Sequence, residues 1–120
     1  MAKIDSVEWG KIVVDGKEYG QVLIVGNKVL ERDREMLKRM FNTTHKIGDW
    51  EERLLLSGSP KHVVIGTGFR GVLEVEERLG KMIKDKRIDL HIGLTPAAIK
   101  EYNRLAKTEK SINALIHTTC

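Results

Sequence analysis

His62-Val63-Val64-Ile65-Gly66-Thr67-Gly68-Phe69-Arg70-Gly71 lies near the middle of the 120-residue chain and decides how the rest is read. Val63 to Ile65 is a short apolar run, which suits a buried strand. Glycines at 66, 68 and 71 then break the run into a tight turn. The downstream half continues the pattern. Glu74 to Lys86 places Val75, Leu79, Met82 and Ile83 on one helical stripe. Ile88, Leu90 and Ile92 alternate with Asp89 and His91, which predicts a strand. Thr95-Pro96 reads as an N-cap followed by proline at the first helical position. That helix would turn Ala98, Ile99, Tyr102, Leu105 and Ala106 to the core, and a last strand would run from Ile112 to about His117. Strand–helix–strand–helix–strand, with crossovers of this length, implies parallel neighbours and right-handed connections.

Upstream, residues 9–25 read as a hairpin. Ile12 to Val14 is one strand, and Asp15-Gly16 is a type I′ turn signal because both central residues need positive φ. Tyr19 to Val25 alternates as a second strand, with Tyr19, Leu23 and Val25 on one face. Gly26-Asn27 makes another turn, before a third short strand at Val29-Leu30. In Glu31 to Phe41, residues Met36, Leu37, Met40 and Phe41 share a helical face, and polar Asn42 to His45 ends the segment. Asp49-Trp50-Glu51-Glu52 has the form of a capping box, with Asp49 as the cap. Leu54 to Leu56 continue that helix until Gly58 and Pro60 stop it. The fold class is therefore α/β. One domain, residues 1–120, has an N-terminal antiparallel hairpin followed by βαβαβ, with helices packed on a mixed sheet.

Composition bounds the function. Hydrophobic residues make up 41% and charged residues 32%, which is the balance of a folded domain. Cys120 is the one cysteine, so no internal disulfide forms. No apolar run approaches a membrane span and no signal-peptide core is visible, so a cytoplasmic location without membrane insertion is expected. Glutamine occurs once, at Gln21, among abundant Lys and Glu, a usage typical of heat-adapted proteins. The net charge of +4 falls wholly in residues 61–120, which carry eleven basic and seven acidic side chains. The most basic run, Lys84 to Arg87, is interrupted by Asp85, and aromatics are 5%. That pattern suits a solvated helix end better than a nucleic-acid surface.

Three groups of residues are candidates for chemistry. A strand ending in Gly66-Thr67-Gly68 presents free amides, and Arg70 adds a cation, so a small anion is one possible ligand. The letters match Gly-x-Gly-x-x-Gly, but no helix opens directly after Gly71 and no acid ends the next strand, which speaks against a dinucleotide. His117-Thr118-Thr119-Cys120 places a histidine and a thiol three apart. A structural zinc site needs four ligands, and His45, His62 and His91 are scattered in sequence, so no metal or cofactor is expected. His45 in its loop is a possible acid or base without a visible partner. Glu51, Glu52, Glu74, Glu76 and Glu77 fit helix first turns, where the dipole favours carboxylates. Trp9 and Trp50 are packing residues or, if exposed, interface anchors.

Several of these pieces occur together. Trp9-Gly10, Gly16-Lys17-Glu18-Tyr19, His45, Ile65-Gly66-Thr67-Gly68 with Gly71, Thr95-Pro96-Ala97-Ala98, Tyr102-Asn103-Arg104-Leu105 and His117-Thr118-Thr119-Cys120 succeed one another along nearly the whole chain. In this the chain resembles the adipogenesis-associated Mth-domain family, whose domain is shared with a mitochondrial assembly factor for respiratory complex I. The resemblance implies a three-layer α/β fold and action through protein partners, and it brings no reaction or cofactor. The resulting expectation is a non-enzymatic protein-binding or assembly domain. The alternative is an anion-binding protein or enzyme using Gly66, Thr67, Gly68, Arg70, His45 and His117.

Overall fold

His62–Thr67 forms strand β6, buried from Val63 onward. The structure is a computed structural model and describes residues 1–109 and 111–120. Strands β7 (Asp89–Gly93) and β8 (Ile112–His117) flank β6, both parallel to it. Strand β4 (Val22–Val25) pairs antiparallel with β8, and β5 (Lys28–Glu31) antiparallel with β4. The result is a mixed five-stranded sheet in the order β5-β4-β8-β6-β7. A second, antiparallel sheet contains β1 (Ile4–Glu8), β2 (Lys11–Val14) and β3 (Lys17–Tyr19).

Strand alternation divides the core in two, because successive side chains leave opposite faces. Val22, Ile24, Val64, Ala114 and Ile116 point to one side. There they meet Ala98, Ile99 and Tyr102 of helix α4 (Thr95–Ala106), together with Ile4, Ile12 and Val14 of the small sheet. Leu23, Val63, Ile65 and Leu115 point to the other. They pack on Leu55 of α2 (Asp49–Leu56) and on Leu79 and Ile83 of α3 (Glu77–Asp85). The layers are thus helices, sheet, and helix with small sheet. α3 and α4 lie on opposite faces because β6→β7 and β7→β8 cross the sheet in opposite directions, and a right-handed connection must then change face.

Several local expectations are corrected. Ile4–Glu8 is a strand that the sequence pattern did not reveal. Tyr19 to Val25 is not one strand. Gly20 and Gln21 separate β3 from β4, and the Glu31 carboxylate accepts from both of their amides at 2.8–3.1 Å. Glu31 is therefore strand, and helix α1 (Arg34–Phe41) starts later, where Asp33 Oδ1 accepts from the Met36 amide. Of the face proposed there, Leu37 alone is buried, while Met36 and Met40 are exposed. The cap of α2 is Gly48 rather than Asp49. α3 begins at Glu77, so Glu74 and Glu76 are outside it. Thr95 is inside α4 and buried, with Leu94 at the cap position. No described helix is long and apolar enough to cross a membrane.

Candidate functional site at the carboxyl ends of β6 and β8

The parallel register sets Thr67 beside His117, so the glycine turn and the chain's last residues leave the sheet together. Gly68 has φ +104°, and a Cβ there would come within 2.3 Å of the Cys120 carbonyl carbon and 2.8 Å of His117 Cδ2. Gly66 is held free of a side chain by α4, since its Cβ would meet Thr95 Oγ1 at 2.9 Å. These glycines permit close approach of backbone and tail. Thr95 Oγ1 donates to the His117 carbonyl and accepts from the Gly68 amide at 2.9 Å, tying the helix start to both strands.

The turn's amides are directed at the chain itself. Phe69 N–H donates to the Thr119 carbonyl at 2.8 Å, and Arg70 and Val72 N–H donate to Cys120 O at 2.7 and 3.2 Å. Thr118 continues the strap: its carbonyl accepts from Gly10 N–H and its hydroxyl donates to the Gly20 carbonyl at 2.6 Å. Arg70 stays at the surface, its guanidinium 5.8 Å from the Trp9 ring centroid. Trp9 in turn stacks on Phe69, with centroids 5.9 Å apart.

Beneath the turn lies a buried polar network. Arg32, 1% exposed, directs all five of its N–H bonds to acceptors. Nε and Nη2 fork onto the Glu51 carboxylate at 2.7 and 2.8 Å. Nη1 reaches Gln21 Oε1 at 2.7 Å and the Thr44 carbonyl at 3.3 Å, and Nη2 also reaches the Lys46 carbonyl at 2.9 Å. Glu51 Oε1 accepts from the Gly48 amide, so this carboxylate caps α2 as well as pairing with Arg32. A bidentate pair with its remaining valences filled is the arrangement in which buried charge is tolerated.

His117 joins the same network. Gln21 Oε1 accepts from its Nδ1 at 2.9 Å, which leaves Nε2 to accept from the Thr119 hydroxyl at 3.2 Å. Burial pushes the His117 pKa down to about 4, and the nearby Arg32 charge and His45 act in the same direction. The imidazole is therefore neutral at physiological pH and a weak base. His45 meets it edge-on, with ring centroids 5.3 Å apart, and the His45 carbonyl accepts from the Glu74 amide.

The residues singled out in the sequence thus assemble at one place: Gly66, Thr67, Gly68 and His117 in the interior, His45 half-buried beside them and Arg70 at the rim. Arg32 and Gln21 are not among them, and the sequence offers Glu51 only as a first-turn carboxylate. Arg32 follows an edge strand and looks like any surface cation in sequence. The histidines, scattered along the chain, pair in space as His45–His117 and His62–His91. Among the described residues no three His, Cys, Asp or Glu side chains converge as a preformed metal site.

Comparison with known proteins places this architecture. The conserved hypothetical protein PH1505 from Pyrococcus horikoshii OT3 is 29% identical with a TM-score of 0.79, the match covering 98% of this chain and 99% of that one. A protein solved as MT938 is 28% identical with a TM-score of 0.77 over the whole of both chains. Xanthomonas campestris XCC1710, at 13% identity and a TM-score of 0.69, covers 97% of this chain and 83% of its own, and shares the fold. A family model for proteins of unknown function matches residues 4–117, and the chain belongs to that family, DUF498/DUF598.

Proposed function

We propose that the protein is a non-enzymatic binding domain that docks a protein partner on the surface around Trp9. The observation that carries this is the exposure of large apolar side chains around the glycine turn. Trp9 is 54% exposed, Val72 44% and Leu94 48%, and Phe69 and Arg70 lie against Trp9. Aromatic residues and arginine in contact are the composition of interface centres. The neutral, hydrogen-bonded His117 beneath them fits a rigid support better than a proton-transfer group. The resemblance to the Mth-domain proteins, whose relatives act through partners, favours the same reading.

The other reading, a small anion in the glycine turn, requires displacing Thr119 and Cys120 from the amides they occupy. One pair of experiments separates the two. Affinity capture with the intact protein, compared with a Trp9→Ala/Val72→Ser double variant, is expected to show a partner retained by the first and lost by the second. A thermal-shift series with inorganic phosphate and nucleotides is expected to show no stabilisation. A shift that disappears in Arg70→Ala would instead favour the anion site.

A further inference from the structure

We propose that His62 and His91 form a surface site for a late first-row divalent transition-metal ion, zinc or copper, on the opposite side of the sheet from the His117 network. The register of β6 and β7 sets His62 opposite Asp89 and Val64 opposite His91. All four therefore project to the α4 face, where Val64 is packed. His62 Nδ1 and His91 Nε2 are 3.1 Å apart, with ring centroids separated by 5.3 Å. A tetrahedral centre about 2.05 Å from each nitrogen would space the nitrogens by about 3.3 Å and the centroids by about 5.2 Å. The nitrogens stand within a few tenths of an ångström of that spacing; the rings, aimed at each other across their hydrogen bond, must tilt to turn both lone pairs onto one ion.

The surroundings supply the rest of the chemistry. Glu101 Oε1 lies 3.6 Å from His91 Nδ1 and Glu109 Oε2 4.0 Å from His62 Nε2, so each ring has a carboxylate behind its outward nitrogen. Metal-bound histidines use such carboxylates to hold the remote N–H and raise ligand basicity. Asp89 Oδ2 is 3.8 Å from His62 Nδ1, and its side chain, 77% exposed, has room to close in as a third ligand. Water completes the shell. In the metal-free protein the two imidazoles share one N–H···N bond. Binding moves that hydrogen to the far nitrogen of the same ring, facing carboxylate, so the step needs a tautomer change and no net loss of a proton. His62 and His91 side chains are 16% and 28% exposed, enough for an ion to enter without opening the core.

Calorimetric titration of chelator-treated protein with ZnCl2 and CuCl2 at pH 7.5 tests this. The titration is run in a Cys120→Ser background, so that the thiol does not compete. One ion per chain is expected, with copper bound more tightly than zinc and magnesium silent. His62→Ala and His91→Ala are each expected to weaken binding by at least about tenfold. The absence of saturable heat with either ion overturns the proposal, as does an affinity unchanged in both variants. A readout independent of the variants is paramagnetic broadening by Cu2+ of imidazole signals in wild-type protein. Broadening confined to His62 and His91 supports the site, and broadening centred on His45 or His117 overturns it.

Discussion

At the scale of the residue, Gly68 and His117 are the positions where a single atom decides most. Gly68 combines a positive φ with a backbone contact that no side-chain rotation can relieve, because the nearest obstructing atoms belong to the Cys120 main chain. Gly68→Ala is expected to destabilise the fold by about 1–3 kcal/mol, the range of overpacked cores, read as a lower urea midpoint with an unchanged slope. His117 makes a pH prediction. Its folded pKa of about 4 lies below the ordinary histidine value of 6.5. Between those values the unfolded chain binds a proton that the folded chain refuses. The stability contributed by a neutral His117 is therefore full above pH 6.5 and falls as pH drops towards 4. At 1.36 kcal/mol per pKa unit the loss is about 3 kcal/mol. Subtracting the pH–stability curve of His117→Gln from that of wild type isolates it; parallel curves between pH 4 and 6.5 would refute the assignment.

At the scale of the element, one side chain in β8 organises two neighbours. Asn113 is buried among apolar strand residues. Its Nδ2 donates to the Leu55 and Ser57 carbonyls at 2.9 Å each, satisfying the end of α2, and its Oδ1 accepts from the Gly26 amide in the β4–β5 turn at 2.9 Å. Asn113→Leu keeps the volume but strands two carbonyls and one amide. The expected cost is about 2–4 kcal/mol, given 1–3 kcal/mol for each buried group left unpaired and partial relaxation. Hydrogen exchange should show faster opening at Gly26, with β6 still protected; uniform loss of protection would mean a global effect instead. A polar residue between Ile112 and Ala114 is visible in the sequence, yet nothing local tells which helix end it serves, because its partners are more than fifty positions away.

At the scale of the molecule, the two cores share strands β4, β6 and β8, and the Thr118–Cys120 strap bonds to the small sheet and the glycine turn at once. This arrangement predicts one cooperative unit. Trp9 follows β1 on one side, and Trp50 belongs to α2 on the other. Single-tryptophan variants Trp9→Phe and Trp50→Phe are expected to report superimposable urea transitions. Separate midpoints would show that the layers unfold independently.

Much of this was legible in the amino-acid order alone. Periodicity specified β6, α4 and β8 closely, and Asp15-Gly16 specified the β2–β3 turn, where both residues do have positive φ. These features depend on neighbours within a few positions, so local sequence determines them. The division of Tyr19 to Val25 between two sheets did not follow from alternation, because the interruption depends on Glu31 and Thr118 reaching back to Gly20. Nor could the sequence show that the glycine turn would be filled by Cys120, or that Arg32 and Glu51 would meet in the interior. A guanidinium and a carboxylate nineteen residues apart carry no sign of burial until the fold removes water from both. The local elements were decided by chain-neighbour sterics and apolar spacing. The site was decided by tertiary packing, which alone determines which polar groups must find one another.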